Sequence, residues 1–422
     1  MYRIVNKTDK FLTNSICKQK HKSANTKKYL STNTYIMNKY NVLLFGGGLQ
    51  MISSARSLKE VGYRVVAATK HDKIASKSRY INKHINIEND SEPELVINNL
   101  ISIVKEEQID VIIPMEDAQA TCLSKCKNEL MEKTSVKCAV MDWDIFSMVS
   151  DKTQLLAFCK KYGIGHPKTR LIFDNYNEIA NDVGFPALIK PNHSEGAKGI
   201  VLVNNLEELK DKAPKIIAEY GECALQEYIA SKSYYYNLML YRNADGKFGN
   251  SVIIKILRYY PIKGGSSSLC VSVENEIMTE MCKTLLNKLN WVGFADFDIL
   301  EKGDGDYKII EINPRVPASL RGAAISGVNY LDMIVTDLME GTLKIYDYHT
   351  GKYLRYLGLD IAWFMASPHR WSCKPCWFKF FDKNLHYQEG GLHDMPAMWI
   401  SMVEGVKKQL NPSFRKAKSG MN

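Results

Sequence analysis

No apolar run in this sequence reaches the roughly 18 residues that a membrane-crossing helix needs, so nothing in it reads as a transmembrane segment. The first stretch, Met1 to Leu30, has no long apolar core, so a secretory leader is not expected. Ten cysteines are present, but without the spacing of a disulfide framework, and they suit a reducing, cytoplasmic setting. A charge of one sign is also missing from most of the chain. Of the net +10, residues 1–36 carry +7, with eight Lys and Arg against the single acid Asp9, which leaves about +3 for the rest. The basic character belongs to that extension and does not point to nucleic acid. Residues 1–36 are also rich in Asn, Ser and Thr, with Met37 just before the first clear strand. They read as a disordered tail or an upstream misreading of the start codon, against the alternative of a working targeting or binding arm.

The chain is long enough for two or three domains. Asn41–Phe45, the glycines 46–48, a helical pattern over Met51–Val61 and a second strand at Arg64–Ala68 form a strand–turn–helix–strand opening. A helix over Leu95–Glu106 and a buried strand at Asp110–Pro114 continue it, giving an α/β domain over 37–120 and a helical linker over 121–150. The glycine loop is not GxGxxG, and no acid closes the second strand, so a dinucleotide-dependent oxidoreductase has poor support. A tight turn facing substrate is the plainer reading. Glu116 and Asp117 follow a strand end where ligands of open α/β sheets lie, so they are substrate-contact candidates against the plain alternative of solvated loop acids.

From Asp151 the pattern changes. A helix over Lys152–Tyr162 with Asp151 as its cap precedes strands at Ala187–Lys190, Ile200–Val203 and Ala224–Ile229. Two further strands, Gly293–Leu300 and Tyr307–Asn313, flank a Gly/Asp-rich turn and form a hairpin. Side chains two apart on a strand share a face, so Asp296 with Asp298, and Glu311 with Asn313, converge on one patch. Such a cluster repels itself unless a hard divalent cation sits among the oxygens. The competing reading is a solvated acidic hairpin, but Ile310 and Ile312 mark the strand as half buried. Lys190 ends a buried apolar strand, where a lysine needs an anion to meet it, and the loop 192–199 has the small, flexible composition that covers phosphates.

The order Asp151-Lys152, Lys190, glycine loop, Gln226-Glu227-Tyr228-Ile229, Asp298 and Glu311-Ile312-Asn313-Pro314-Arg315 resembles the ATP-grasp superfamily. It is most similar to the carbamoyl-phosphate-synthase-like and biotin-carboxylase-like carboxylate–amine ligases. The resemblance implies an α/β chain. A Rossmann-like pre-ATP-grasp domain would precede an ATP-grasp fold of two α+β subdomains over 151–345, with the flap subdomain at about 163–230. A C-terminal cap over 346–422 would follow. It implies ATP and Mg²⁺ (or Mn²⁺) as cofactors. Lys152, Lys190, Gly196, Lys198, Gly199 and the hinge Gln226 to Ile229 would contact ATP, and Asp298, Glu311 and Asn313 the metal. Arg315 would be the charge clamp and Arg258 the partner of a substrate carboxylate, with Ser319 and Arg321 on a further substrate-facing loop. Where many members carry a ribose-binding acid, this chain has Ala230 to Asn237 without one.

The activity implied is ADP-forming ligation of a small-molecule carboxylate to an amine or thiol through an acyl phosphate. A homodimer is the assembly to test. A small-molecule kinase and a non-catalytic ATP-binding protein remain the alternatives on the same scaffold. The aromatic stretch 353–381 reads first as a cap on the ligase core and second as a membrane-surface contact. Cys373 and Cys376 form a lone CxxC, short of a zinc site.

Overall fold

Apolar strands buried on both faces organise the first layer. The computed structural model describes residues 39–48, 50–87, 93–173, 175–192, 199–230, 235–262, 266–303, 305–388, 394–400 and 403. β1 (Asn41–Phe45) pairs in parallel with β2 (Arg64–Thr69) and with β4 (Val111–Pro114). β3 (Lys83–Asn86) and β5 (Lys137–Cys138) complete a parallel sheet in the order β3-β2-β1-β4-β5. Successive residues of β1 serve opposite faces. Val42 and Leu44 meet α1 (Gln50–Lys59), whereas Leu43 and Phe45 meet α2 (Pro93–Glu107) and α3 (Asp117–Thr134). β3 escapes the sequence pattern because it is a polar, half-exposed edge strand. β5 lies inside the stretch expected to be purely helical, so that stretch contributes to the first sheet before α4 (Trp143–Ser150) leads on.

α5 (Lys152–Lys161) opens the second part, its N-terminus capped by Asp151, which accepts from the Gln154 amide at 2.9 Å. A small antiparallel sheet follows: β6 (Thr169–Leu171), β7 (Ala187–Pro191), β8 (Val201–Val203) and β9 (Cys223–Glu227), in the order β6-β9-β7-β8. With α6 (Tyr176–Val183) and α7 (Leu206–Tyr220) it encloses its own core around Ile189, Val203, Leu209 and Leu225. This lobe runs from Thr169 to Glu227.

The larger sheet runs β14-β13-β10-β11-β12-β15-β16. Its strands are β10 (Tyr235–Arg242), β11 (Val252–Tyr260), β12 (Ser266–Val273), β13 (Gly293–Glu301), β14 (Tyr307–Asn313), β15 (Tyr353–Arg355) and β16 (Leu385–Tyr387). Leu238 and Leu240 pack with α8 (Glu276–Lys288), and Met239 and Tyr241 with α10 (Tyr330–Glu340) on the opposite face. Each of these cores is continuous with one face of the first sheet, so the two sheets share their apolar interior. The short α9 (Leu320–Ile325) packs against α1 and the large sheet. Among the described residues no helix is long and apolar enough to cross a membrane.

β15, β16 and α11 (Leu357–Ala366) join the C-terminal region to this sheet through charge. Asp360 is fully buried and accepts from Arg355 Nε at 2.6 Å, Arg258 Nη1 at 3.1 Å and the Ser268 hydroxyl at 3.2 Å. Two guanidiniums on one carboxylate leave a buried positive charge. It is spread over ring faces, with Arg258 4.7 Å from the Trp363 centroid and Arg355 4.8 Å from that of Phe380. The carbonyls of Pro375 and Trp377 accept from Arg258 and Arg355, and Arg258 Nε has no partner among the described residues. Asp360→Asn should lower unfolding stability by about 3–5 kcal/mol, because it strands two buried cations. Urea denaturation followed by tryptophan fluorescence checks this; a midpoint equal to wild type would mean that the ion network does not hold the segment.

Candidate active site

The register of the β13–β14 hairpin decides what its acids face. Glu301 opposes Tyr307 and Ile299 opposes Ile309, but after a bulge Asp298 opposes Glu311 and Asp296 opposes Asn313. Ile310 is the extra residue. Without it Glu311 would fall opposite Phe297, which is fully buried in the apolar core. The bulge therefore turns Glu311 and Asn313 onto the face of Asp296 and Asp298. Ile309 and Ile312 enter the core and Ile310 stays half-buried, so the strand is half buried.

Behind this patch the acids are held in place. Asp298 accepts from Asn237 Nδ2 at 2.6 Å and from the Tyr235 hydroxyl. Asp296 is buried and accepts from Asn313 Nδ2 at 3.2 Å, while its Oδ1 has no partner. Burial and then the Glu311 charge push Asp298 up to about 7. Burial and then the Asp298 charge push Asp296 well above the carboxylate range. Tyr235 and Asn237 are site residues that the sequence reading missed. Their signal was two polar-tipped side chains, two apart, on a strand otherwise committed to the core.

Two lysines approach, Lys152 from α5, which packs into the core of the large sheet, and Lys190 from the smaller lobe. Lys152, first residue of α5, lies 3.7 Å from Glu311. Lys190 near the end of β7 donates to Gln226 Oε1 at 2.5 Å. Burial lowers Lys190 to about 8; Glu311 and Asp298 oppose that shift and Lys152 adds to it. A lysine whose charge burial weakens, beside two carboxylates, is what an anion site looks like before the anion arrives.

At the expected hinge, Glu227 is fixed rather than free. Its carboxylate accepts from Lys302 Nζ at 2.5 Å and from the Lys168 amide at 3.0 Å. Burial opposes its ionisation, but these donors hold it below the usual range. The Tyr228 amide donates to Pro186 O, and Ile229 is buried. Gly196 and Lys198 lie outside the described residues, as do positions 231–234 of the stretch lacking a ribose acid. Gly199 has φ +72°, and a Cβ there would come within 2.8 Å of Pro191 and 3.0 Å of the Tyr220 ring, so only glycine fits.

Arg315 joins the two sheets across a cleft of about 320 Å³. Its fork holds Asp117 at the start of α3, at 2.8 Å and 3.1 Å, and reaches Asn313 Oδ1 at 3.4 Å. Glu116 accepts from the Gly47 amide at 2.9 Å, so the glycine turn faces this cleft. Ser319 is buried with its hydroxyl unpartnered, and Arg321 Nε has no partner among the described residues. Arg258 is the exception: its committed, 3% exposed guanidinium pairs with Asp360 and is not presented to a substrate. The aromatic stretch divides: Trp363 and Trp377 stack on the buried arginines, whereas Trp371 and Phe381 are exposed.

The donor set suits a hard divalent cation. Asp298, Glu311 and Asn313 offer oxygen, and the pressure raising Asp298 disappears if a dication sits among them. Among the described residues no group of three or more acidic, histidine or cysteine side chains stands ready to hold a metal unaided. Such an ion would need phosphate oxygens to complete its shell, as Mg²⁺ does in phosphoryl-transfer sites.

The profile of the ATP-grasp domain family matches residues 149–319. A D-aspartate ligase of Enterococcus faecium (strain Aus0004) is 26% identical over 327 residues, covering 70% of this chain and 76% of that protein. Among solved structures, the biotin carboxylase domain of Hydrogenobacter thermophilus 2-oxoglutarate carboxylase, complexed with MgADP, ADP and bicarbonate, aligns with a TM-score of 0.59 at 17% identity. It covers 74% of this chain and 73% of that one. The Campylobacter jejuni biotin carboxylase–βγ-ATP complex aligns with a TM-score of 0.61 at 17% identity, covering 74% of each chain. These two likenesses concern the fold. With the site geometry, the matches define an ATP-grasp protein. The family match and the relative support an ADP-forming carbon–nitrogen ligase of the ATP-grasp type, similar to the carboxylate–amine ligases.

With Lys190 as a phosphate contact, ADP affinity should fall as pH rises through about 8, by up to roughly tenfold per unit. Protonated Lys190 binds the anion, and proton loss removes that charge. Lys190→Arg stays charged and should flatten the profile. Calorimetric titration across neutral and alkaline pH checks this; an unchanged slope in the variant would remove Lys190 from the phosphates.

Proposed function

We propose that the chain phosphorylates a small-molecule carboxylate with Mg-ATP (or Mn-ATP) and passes the resulting acyl phosphate to an amine. The observation that carries this reading is the pairing of Asp298 with Glu311 beneath Lys152 and Lys190. When bound, the metal would neutralise phosphate charge and align the γ-phosphate. Asp298, Glu311 and Asn313 would hold it, with Asn237 and Tyr235 orienting Asp298 from behind. Lys152 and Lys190 offset charge on the phosphates. Arg315 sits where its guanidinium can stabilise the transferring phosphoryl group and then the acyl phosphate. Glu227 and the backbone of Tyr228 and Ile229 form the adenine edge of the nucleotide site. Water must be excluded there, because acyl phosphates hydrolyse.

The cleft speaks to the substrate. Arg315, paired with Asp117, and Glu116 all line it, so both signs of charge meet in a space of about 320 Å³. A zwitterion complements that arrangement: a carboxylate toward Arg315 and an ammonium toward the acids. A small amino acid therefore fits as the activated acid, and D-aspartate, named for the relative, is the first to test.

The test is acid-dependent ADP release with hydroxylamine present. Wild type should form a hydroxamate in proportion to ADP, and Glu311→Gln should lose both by at least about a hundredfold. Phosphorylated product without hydroxamate would make it a small-molecule kinase. ADP release that survives Glu311→Gln would sink the metal assignment.

A further inference from the structure

α11 and the loop after it carry large apolar side chains that the fold orders and yet leaves in solvent. Trp371 is 76% exposed, Phe378 54%, Phe381 95% and Met365 72%. Single exposed apolar side chains are ordinary, but rings in mutual contact on a surface mark a place that meets something. Trp371 and Phe378 are such a group. Their rings stack with centroids 5.9 Å apart and planes 23° apart, and both meet Phe364 of α11, at 5.3 Å and 5.6 Å.

These rings are held from behind. Phe364 lies 4.3 Å from Trp377, whose ring covers the Arg355 guanidinium at 5.1 Å, and Arg355 belongs to the ion network on Asp360. Arg370 donates to Met365 O at 3.1 Å, which closes the turn between α11 and Trp371. The Tyr387 hydroxyl donates to Phe380 O at 2.8 Å and pins the backbone beside Phe381. An inner layer thus packs on buried arginines, and an outer layer faces water.

The charge around the rings has one sign. Within residues 361–388, Arg370, Lys374, Lys379 and Lys383 stand against one acid, Asp382, which is paired with Lys379 at 2.6 Å. Residues 37–360, by contrast, hold 39 Lys and Arg against 41 Asp and Glu. Past the N-terminal extension, the positive excess therefore lies from residue 361 onward. Lys374, Lys379 and Lys383 are exposed among the rings. Protein interfaces favour Trp and Phe but are depleted of lysine. The headgroup layer of a bilayer takes both, because rings settle at the acyl boundary while lysine stems extend to the phosphates.

We propose that Trp371, Phe378 and Phe381, flanked by Lys374, Lys379 and Lys383, dock the chain on an anionic lipid surface. The contact stays in the interfacial layer, since among the described residues no helix is long and apolar enough to cross a membrane. The rings supply the part of the attraction that salt leaves alone, and the lysines the part that salt screens. The surface does not depend on the acyl-phosphate reading and can be tested without turnover.

The experiment is flotation of the full chain with vesicles of equal parts phosphatidylserine and phosphatidylcholine, and separately with vesicles of phosphatidylcholine alone. Wild type should float with the anionic vesicles, less with the neutral ones, and bind less tightly as salt is raised. Trp371→Ala combined with Phe381→Ala should weaken partitioning by roughly tenfold or more. Phe381→Ala alone, at a side chain almost wholly in solvent, should weaken it less and guards against a folding defect in the double variant. Lys374→Gln combined with Lys383→Gln should lower binding to the anionic vesicles by roughly tenfold and leave the neutral ones unaffected. Melting temperatures without vesicles monitor every variant. Recovery of wild type in the soluble fraction alone, or equal flotation of wild type and the ring variants, would overturn the proposal. Ring-dependent self-association without flotation would overturn it in favour of a second copy of this chain.

Discussion

One extra residue in a hairpin sets the chemistry of this molecule. Ile310 bulges out of β14, and everything after it moves to the other face of the strand. Glu311 leaves a position opposite Phe297 and arrives opposite Asp298. The result is a pair of carboxylates whose repulsion burial makes worse, as the rise of Asp298 to about 7 records. A fold tolerates such a pair only where something else brings positive charge to it. Lys152 brings part of that charge from α5 on the same body, and Lys190 brings part of it from the smaller lobe.

That arrangement explains the division of the fold. The smaller lobe has a core of its own, sharing no apolar cluster with the rest, whereas the first sheet and the large sheet share theirs. The acids and Arg315 stand on the fused body, and Lys190 and Gln226 on the separate lobe. The site thus forms between a rigid platform and a part with independent packing, which suits a reaction that must open to admit substrates and close against water.

The chemistry was more legible in the sequence than the architecture. Side chains at period two on strands bounded by turn residues gave the acid pair and the lysine-tipped strand from the sequence alone. The resemblance in motif order placed the domain that the family match covers, residues 149–319. The polar edge strand β3, the two-residue β5 and the short β15 and β16 carried no apolar period, because edges and brief ladders need none. Bulges are equally silent: Ile310 looks like any strand isoleucine until its neighbours are paired. Arg258 was misassigned for a different reason. Position marked it as substrate-side, but its partner Asp360 lies 102 residues away in a segment with no recognisable pattern, and no local signal announces such a pairing.

Arg315 shows why the first domain must be where it is. Its Nε and Nη2 are met by Asp117 at the start of α3 and Asn313 on β14. An arginine so held cannot swing, which fixes the guanidinium before any substrate arrives and limits reorganisation when charge develops. Asp117 can surrender part of that grip, since its side chain is 44% exposed and water can replace one of its two contacts. A substrate carboxylate entering the cleft therefore competes with a solvated aspartate and leaves no charge stranded. Arg258 has no such exchange available, because Asp360 is wholly buried and its loss would leave two cations without a counter-ion. Under the proposed function the same residue type clamps substrate in one place, and it pins the fold in the other; the solvent exposure of the partner carboxylate separates the two.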